Sequence, residues 1–109
     1  MIIIAFEDEA LHATCVNLDR AEQAYGTVSA AALVTFLSDA VSVENVEELI
    51  GIMGEEIMIL ADDSLSVAIG SDYRAALSVV GTRHMTDASG RIVWSSVARL
   101  KLLAISRVP

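Results

Sequence analysis

The sequence predicts an α+β domain, with helices packed on one face of a mostly antiparallel sheet of four to five strands. Three observations predict it. The chain begins with a short apolar, β-branched segment, residues 7–51 show helical spacing with helix caps, and residues from 57 onward show alternating or short apolar segments between turn residues. A chain of 109 residues is long enough for one core, so we expect a single domain over residues 1–109.

The N-terminal segment predicts a strand followed by a helix. Residues 1–6, MIIIAF, are wholly apolar, which favours a strand buried on both faces. Glu7-Asp8-Glu9 then places carboxylates in the first turn of a helix, where the helix dipole favours negative charge. Apolar residues recur at helical spacing from Leu11 to Tyr25.

Glycine and hydroxyl residues divide the helical region. Gly26 is placed to end the first helix, and Thr27 to cap a second helix over residues 28–40. Two helices connected by only one or two residues form an antiparallel hairpin. Ser42 is expected to cap a short third helix over residues 43–50.

Residues 64–80, SLSVAIGSDYRAALSVV, predict the hairpin that fixes the register of the sheet. A three-residue turn at Gly70-Ser71-Asp72 places apolar side chains opposite one another on one face. These pairs are Ile69 with Tyr73, Val67 with Ala75, and Leu65 with Leu77. On the other face Arg74 stands among small side chains, which makes it a candidate anion-binding residue. The small residues are Ser64, Ser66, Ala68, Ala76 and Ser78.

The remaining segments complete the sheet. Residues 57–60 form a small apolar segment between pairs of acids, and residues 81–90 are polar and predict a loop. Residues 92–94 return to apolar character. Residues 100–106, LKLLAIS, have apolar side chains on both faces of the predicted strand, which indicates an interior strand.

The charges are divided unevenly along the chain. The net charge is −8, yet residues 1–73 hold fourteen of the fifteen acids with Arg20 as their only Lys or Arg, and residues 74–109 carry a net charge of +5. Such asymmetry predicts a surface that faces a polyanion or an acidic partner. The alternative is that the two segments pair with each other across the fold.

Composition also predicts a cytoplasmic protein. Cys15 is the only cysteine, which excludes an intramolecular disulfide and fits a reducing compartment. The apolar N-terminus lacks a basic flank and does not resemble a signal peptide. The longest uncharged segment, residues 24–38, is shorter than the roughly 18 apolar residues of a membrane span, so we expect no membrane association.

Several short segments, in order, resemble one known family. They are Ala24-Tyr25-Gly26, the pair Tyr73-Arg74 in the central hairpin, residues 90–97 (GRIVWSSV) and residues 100–105 (LKLLAI). Together they resemble the RelE/ParE superfamily of toxin proteins, and within it the HigB-like killer proteins. The resemblance extends over residues 6 to 105 and implies a RelE-like fold.

The resemblance also implies an activity and partners. It implies the toxin of a toxin–antitoxin pair, an endoribonuclease that cleaves mRNA on the ribosome without metal or cofactor, inhibited by a helix-turn-helix antitoxin. Arg74 matches the arginine of the family's hairpin and would stabilise charge on the scissile phosphate. In the alternative, Arg74 is structural and holds the C-terminus or Asp72. His84 is a candidate acid–base residue, because histidine is the side chain that ordinarily gains and loses a proton near neutral pH.

Other cations of the C-terminal segment are candidate phosphate ligands: Arg83, Arg99, Lys101 and Arg107. Lys101 and Arg107 are an even number of residues apart, so in a regular strand their side chains would project from the same face. They would lie about 20 Å apart at ~3.3 Å per residue. The alternative interpretation is that they are solvated strand ends. The carboxylates lack an accompanying His/Cys cluster, so no metal site is predicted.

Two departures from the family favour a second hypothesis. Such toxins often end in Tyr or His after the last strand, whereas this chain ends Ser106-Arg107-Val108-Pro109, and its helices are acidic rather than basic. The second hypothesis is therefore a non-catalytic, protein-binding member of the same fold, as in the ParE-like branch. A homodimer through an exposed sheet edge is a third hypothesis.

Overall fold

The computed structural model describes residues 1–81 and 84–108 and confirms the α+β fold. Its sheet has five strands in the order β1-β5-β4-β3-β2. β1 runs parallel to β5, and the other neighbours are antiparallel. The strands are β1 (Ile3–Phe6), β2 (Ile57–Ile59), β3 (Leu65–Ile69), β4 (Tyr73–Val79) and β5 (Arg99–Arg107).

The helices form the predicted hairpin, followed by a short third helix. They are α1 (Glu9–Val16), α2 (Leu18–Ser42) and α3 (Val46–Met53). Gly26 has a φ of 85° and breaks α2 into two arms, as glycine can at low steric cost. Cys15 of α1 lines one groove with Val34 and Val41 of the second arm. The chain therefore folds back at Gly26.

Two helix boundaries differ from the prediction. The first predicted helix is interrupted at Asn17, which has extended backbone and accepts a hydrogen bond from the Arg20 amide. This side chain caps α2, and such local hydrogen bonds compete with helix continuation. The third helix begins after Asn45, not after Ser42, because Asn45 accepts from the Glu48 amide while the Ser42 hydroxyl donates to the Asp39 carbonyl.

The hairpin register is confirmed. Ile69 lies opposite Tyr73, and the two pairs predicted further along the strands also form. The apolar members on this face are buried or half-buried, and they belong to one core with residues of α2 and α3. This core includes Leu65, Val67, Ile69, Ala75 and Leu77 from the hairpin, with Leu33, Phe36 and Leu49 from the helices.

The N-terminal strand is not buried on both faces. β1 is an edge strand that pairs only with β5, and Ile3 is 50% exposed, whereas Ile2 just before it is buried. The physical reason is that helices cover one face of the sheet only. β5 is an interior strand as predicted, because it pairs with β1 and β4.

Helix α2 has the length and apolar composition of a membrane-spanning helix. However, Gly26 divides it, and each arm is shorter than the ~20 residues needed to cross a bilayer. Its buried side chains, among them Leu33 and Phe36, belong to the domain core.

We expect Gly70→Ala to destabilise the fold by about 1–3 kcal/mol. Gly70 has a φ of 70°, and a Cβ there would lie 2.7 Å from the Ser29 hydroxyl oxygen. The matched control is Gly51→Ala in α3, where an added Cβ meets nothing within 4 Å. There we expect stabilisation of about 0.5–1 kcal/mol. Denaturant unfolding measures both, and equal effects would contradict the proposed close approach of the turn to α2.

Candidate anion-binding site on the open face of the sheet

The face of the sheet opposite the helices carries alternate residues of the central strands. Arg74 lies beside Ala68 on β3 and Ser106 on β5, and Lys101 lies beside Ser78. We call this surface the open face. Its floor between the cations consists of small side chains: Ser66, Ala68, Ala76, Ser78, Ala104 and Ser106.

The guanidinium of Arg74 is held against this floor. Its Nε donates to the Ser66 hydroxyl oxygen at 2.7 Å, and its Nη2 donates to the Ser66 carbonyl oxygen at 3.1 Å. The residue is half-buried, and within residues 1–81 and 84–108 it makes no ion pair, with Asp72 or any other acid. A guanidinium has more donors than these two bonds use. Arg74 can therefore also bind an anion above the floor.

Two further candidate cations share the open face. Arg99 lies beside Ile3, and Lys101 lies beside Ala5. The Cα atoms of Arg74 and Lys101 are about 14 Å apart, because Lys101 lies on the neighbouring strand beside Ser78, which is four residues from Arg74 along β4. The Lys101 Nζ lies 3.2 Å from a Glu7 carboxylate oxygen. Such partly exposed pairs contribute little, about 0–1 kcal/mol, so an anion can compete with Glu7.

The prediction that Lys101 and Arg107 share a face is wrong. The pairing of β5 with β4 shifts between Ala76 and Leu77, so that Leu103 is an extra residue in β5. A β-bulge of this kind reverses the parity of the residues beyond it. Arg107 consequently lies opposite Tyr73 on the helix side, with its guanidinium carbon 5.9 Å from the Tyr73 ring centroid. Arg83 lies outside the described residues.

His84 lies at one end of the open face. It lines a pocket of about 380 Å³ together with Ser64 just before β3, Ser78 of β4 and Ile92 of the loop that carries His84. The His84 Nδ1 is shielded from solvent and has no hydrogen-bond partner among the residues that the structure describes. The structure therefore places the candidate acid–base residue beside the same surface as Arg74.

An ion pair closes the loop that carries His84 against the sheet. Asp63 accepts hydrogen bonds from Nε and Nη2 of Arg91 and from the Ile92 amide. These bonds to Arg91, above all, lower the pKa of Asp63 below its usual value. Asp63 also has a φ of 61°, a left-handed conformation that Asp tolerates. No local pattern in the sequence predicts this pair, because its members are 28 residues apart.

In the part of the chain that the structure describes, neither a metal-binding cluster nor a reactive cysteine accompanies the site. Among the described residues, no group of three or more His, Cys, Asp or Glu is placed to hold a metal ion. Burial raises the pKa of Cys15 to about 11, which disfavours the thiolate that a nucleophile requires.

Comparison of the chain with protein-family profiles, curated proteins and solved structures found no match.

We expect Asp63→Asn to loosen the loop at neutral pH. The folded-state pKa of Asp63 is lowered, so its ionic contribution is fully present above the unfolded pKa of about 3.9 and is lost as pH falls through the lower folded pKa. The protection factor of the Ile92 amide, its exchange rate relative to an unstructured amide at the same pH, should fall severalfold in the variant at neutral pH, and in the wild type only below about pH 4. Glu56→Gln, a carboxylate outside the loop contacts, is the control. Unchanged exchange in Asp63→Asn would contradict the closing role.

We expect the Cys15 thiol to resist modification in the native state. Its raised pKa leaves little thiolate at pH 8, and the side chain is buried. A chromogenic disulfide reagent should react slowly with the folded protein and rapidly in denaturant. Equal rates in both conditions would show that α1 does not pack against the second arm of α2.

Proposed function

We propose that this chain is a toxin-like protein of the RelE/ParE type, a metal-independent endoribonuclease directed at mRNA on the ribosome and inhibited by an antitoxin. The observation that carries the proposal is the partly free guanidinium of Arg74 over a floor of small side chains. Such a floor admits a sugar–phosphate backbone close to the sheet. The family-like segments identified in the sequence supply the reaction class.

The proposed reaction is attack of the RNA 2′-hydroxyl on the adjacent phosphate. A base accepts the hydroxyl proton, the O–P bond forms, and the P–O bond to the 5′-oxygen breaks as an acid protonates that oxygen. Arg74 stabilises the extra negative charge on the phosphorane, and removing one such donor typically costs about 3 kcal/mol of barrier, or roughly 100-fold in rate. His84 lines the neighbouring pocket and is assigned acid–base work.

The distribution of charge supports binding of RNA on the open face rather than the helical side. Eleven acids lie between residues 7 and 56, on and around the helices, where Arg20 is the only Lys or Arg. The open face carries Arg74, Arg99 and Lys101. A polyanion is repelled by the first surface and attracted by the second. An inhibitory protein with basic residues would match the helical side.

A second candidate function is protein binding without catalysis. A groove of about 440 Å³ on the helical hairpin is lined by Cys15, Leu37 and Ser38 together with the half-exposed Val34 and exposed Val41. Exposed apolar side chains in a groove favour a protein contact. The acidic helices also favour this candidate.

Expression of the chain alone should slow bacterial growth, and Arg74→Ala should relieve the effect. In a translation extract, we expect Arg74→Ala to reduce mRNA cleavage about 100-fold. Arg74→Lys keeps the charge but loses the fork of donors, so we expect an intermediate effect. Arg20→Ala, which removes an arginine from the helical side, is the matched control and should cleave like the wild type.

If expression of the wild type and of Arg74→Ala leaves bacterial growth equally unaffected, the nuclease proposal is contradicted. A stable protein partner recovered without any mRNA cleavage would favour the second candidate function.

A further inference from the structure

The pocket that His84 lines lies close to Arg74 on the open face. Arg74 is bonded to Ser66, and Ser64, two residues before Ser66 and just ahead of β3, lines the pocket. Two residues of strand span about 6.6 Å. An anion on the Arg74 guanidinium would therefore lie close to the pocket.

The pocket combines apolar walls with an aromatic ring. Ala76 and Leu103 line it from the sheet, Ile92 from the loop, and His84 contributes an imidazole. Its volume of about 380 Å³ falls within the usual range of small-ligand sites, about 300–1,000 Å³. Nucleobases bind proteins by contact with such rings and by hydrogen bonds along their edges.

Asp62 supplies an acceptor at the edge of this pocket. Its Oδ1 accepts from the Ser64 amide at 3.0 Å and from the Ser64 hydroxyl at 2.6 Å. These bonds lower the pKa of Asp62, so the carboxylate is ionised at neutral pH. Among the described residues, nothing donates to its Oδ2. An ionised carboxylate accepts hydrogen bonds only, so it attracts amino groups and repels carbonyl oxygens.

We propose that this pocket binds the base of a nucleotide whose phosphate lies on Arg74, and that Asp62 selects bases with an exocyclic amino group over uracil. The inference rests on the proposed function, since the base would be the one beside the scissile phosphate. Binding itself is measured without cleavage, so the two can fail separately.

Cytidine and uridine 3′-monophosphates provide the sharpest comparison, because cytosine has an amino group at ring position 4 where uracil has a carbonyl. The adjacent ring nitrogen is unprotonated in cytosine and protonated in uracil. Titration of the isotope-labelled full chain, followed by NMR, should show cytidine 3′-monophosphate binding about tenfold more tightly. The amide signals of Ser64 and Ser78 should move during the titration.

Asp62→Asn should reduce the cytidine-to-uridine preference to about one or reverse it, because an amide can also donate to a carbonyl. Its amide oxygen can still accept from Ser64, so the turn is kept. The matched control is Glu56→Gln, which removes one negative charge outside the pocket and should leave the preference unchanged. Arg74→Ala should weaken both nucleotides equally, and Ala76→Leu should fill the pocket and abolish binding of both.

Equal affinity of the two nucleotides for the wild type, no binding of either, or an unchanged preference in Asp62→Asn would each overturn the inference. Growth inhibition and mRNA cleavage that depend on Arg74, without nucleotide preference, would overturn the base pocket alone. Nucleotide preference in a chain that neither slows growth nor cleaves mRNA would support the pocket and contradict the proposed function.

Discussion

The register of the β3–β4 hairpin is the constraint on which the rest of the structure depends. Its three-residue turn directs Leu65, Val67 and Ile69 toward the helices. The same alternation leaves Arg74 on the opposite face among small side chains. A slip of one residue would exchange the two sets, burying a guanidinium and exposing the core. The core and the candidate site are therefore two consequences of one pairing pattern.

This pattern also separates charge across the sheet. The helical layer carries most of the acids, whereas the open face carries arginine and lysine. The separation is incomplete at β1, where Glu7 pairs with Lys101, and at the loop, where Asp63 pairs with Arg91. The alternative in which the two halves of the chain neutralise each other holds for these two pairs, and Arg74 is not part of either.

The sequence predicts the hairpin well because both of its strands alternate clearly and glycine marks the turn. It does not predict the bulge at Leu103, since LKLLAIS is apolar at both parities and no residue signals the shift. The interruption at Asn17 is hidden because apolar spacing continues on both sides of it. The pocket around His84 depends on an ion pair between distant residues, which local patterns do not encode.

The proposed function depends on one interaction, in which the Arg74 guanidinium binds phosphate groups on the open face. The most direct measurement follows the arginine Nε–H signals by NMR while a short single-stranded RNA is added at low salt. We expect the Arg74 signal to shift, together with the amide signals of Ala76 and Ser78, and added salt to reverse the shifts. Shifts confined to Arg20 or Arg107, or no shift at Arg74, would contradict phosphate binding by Arg74.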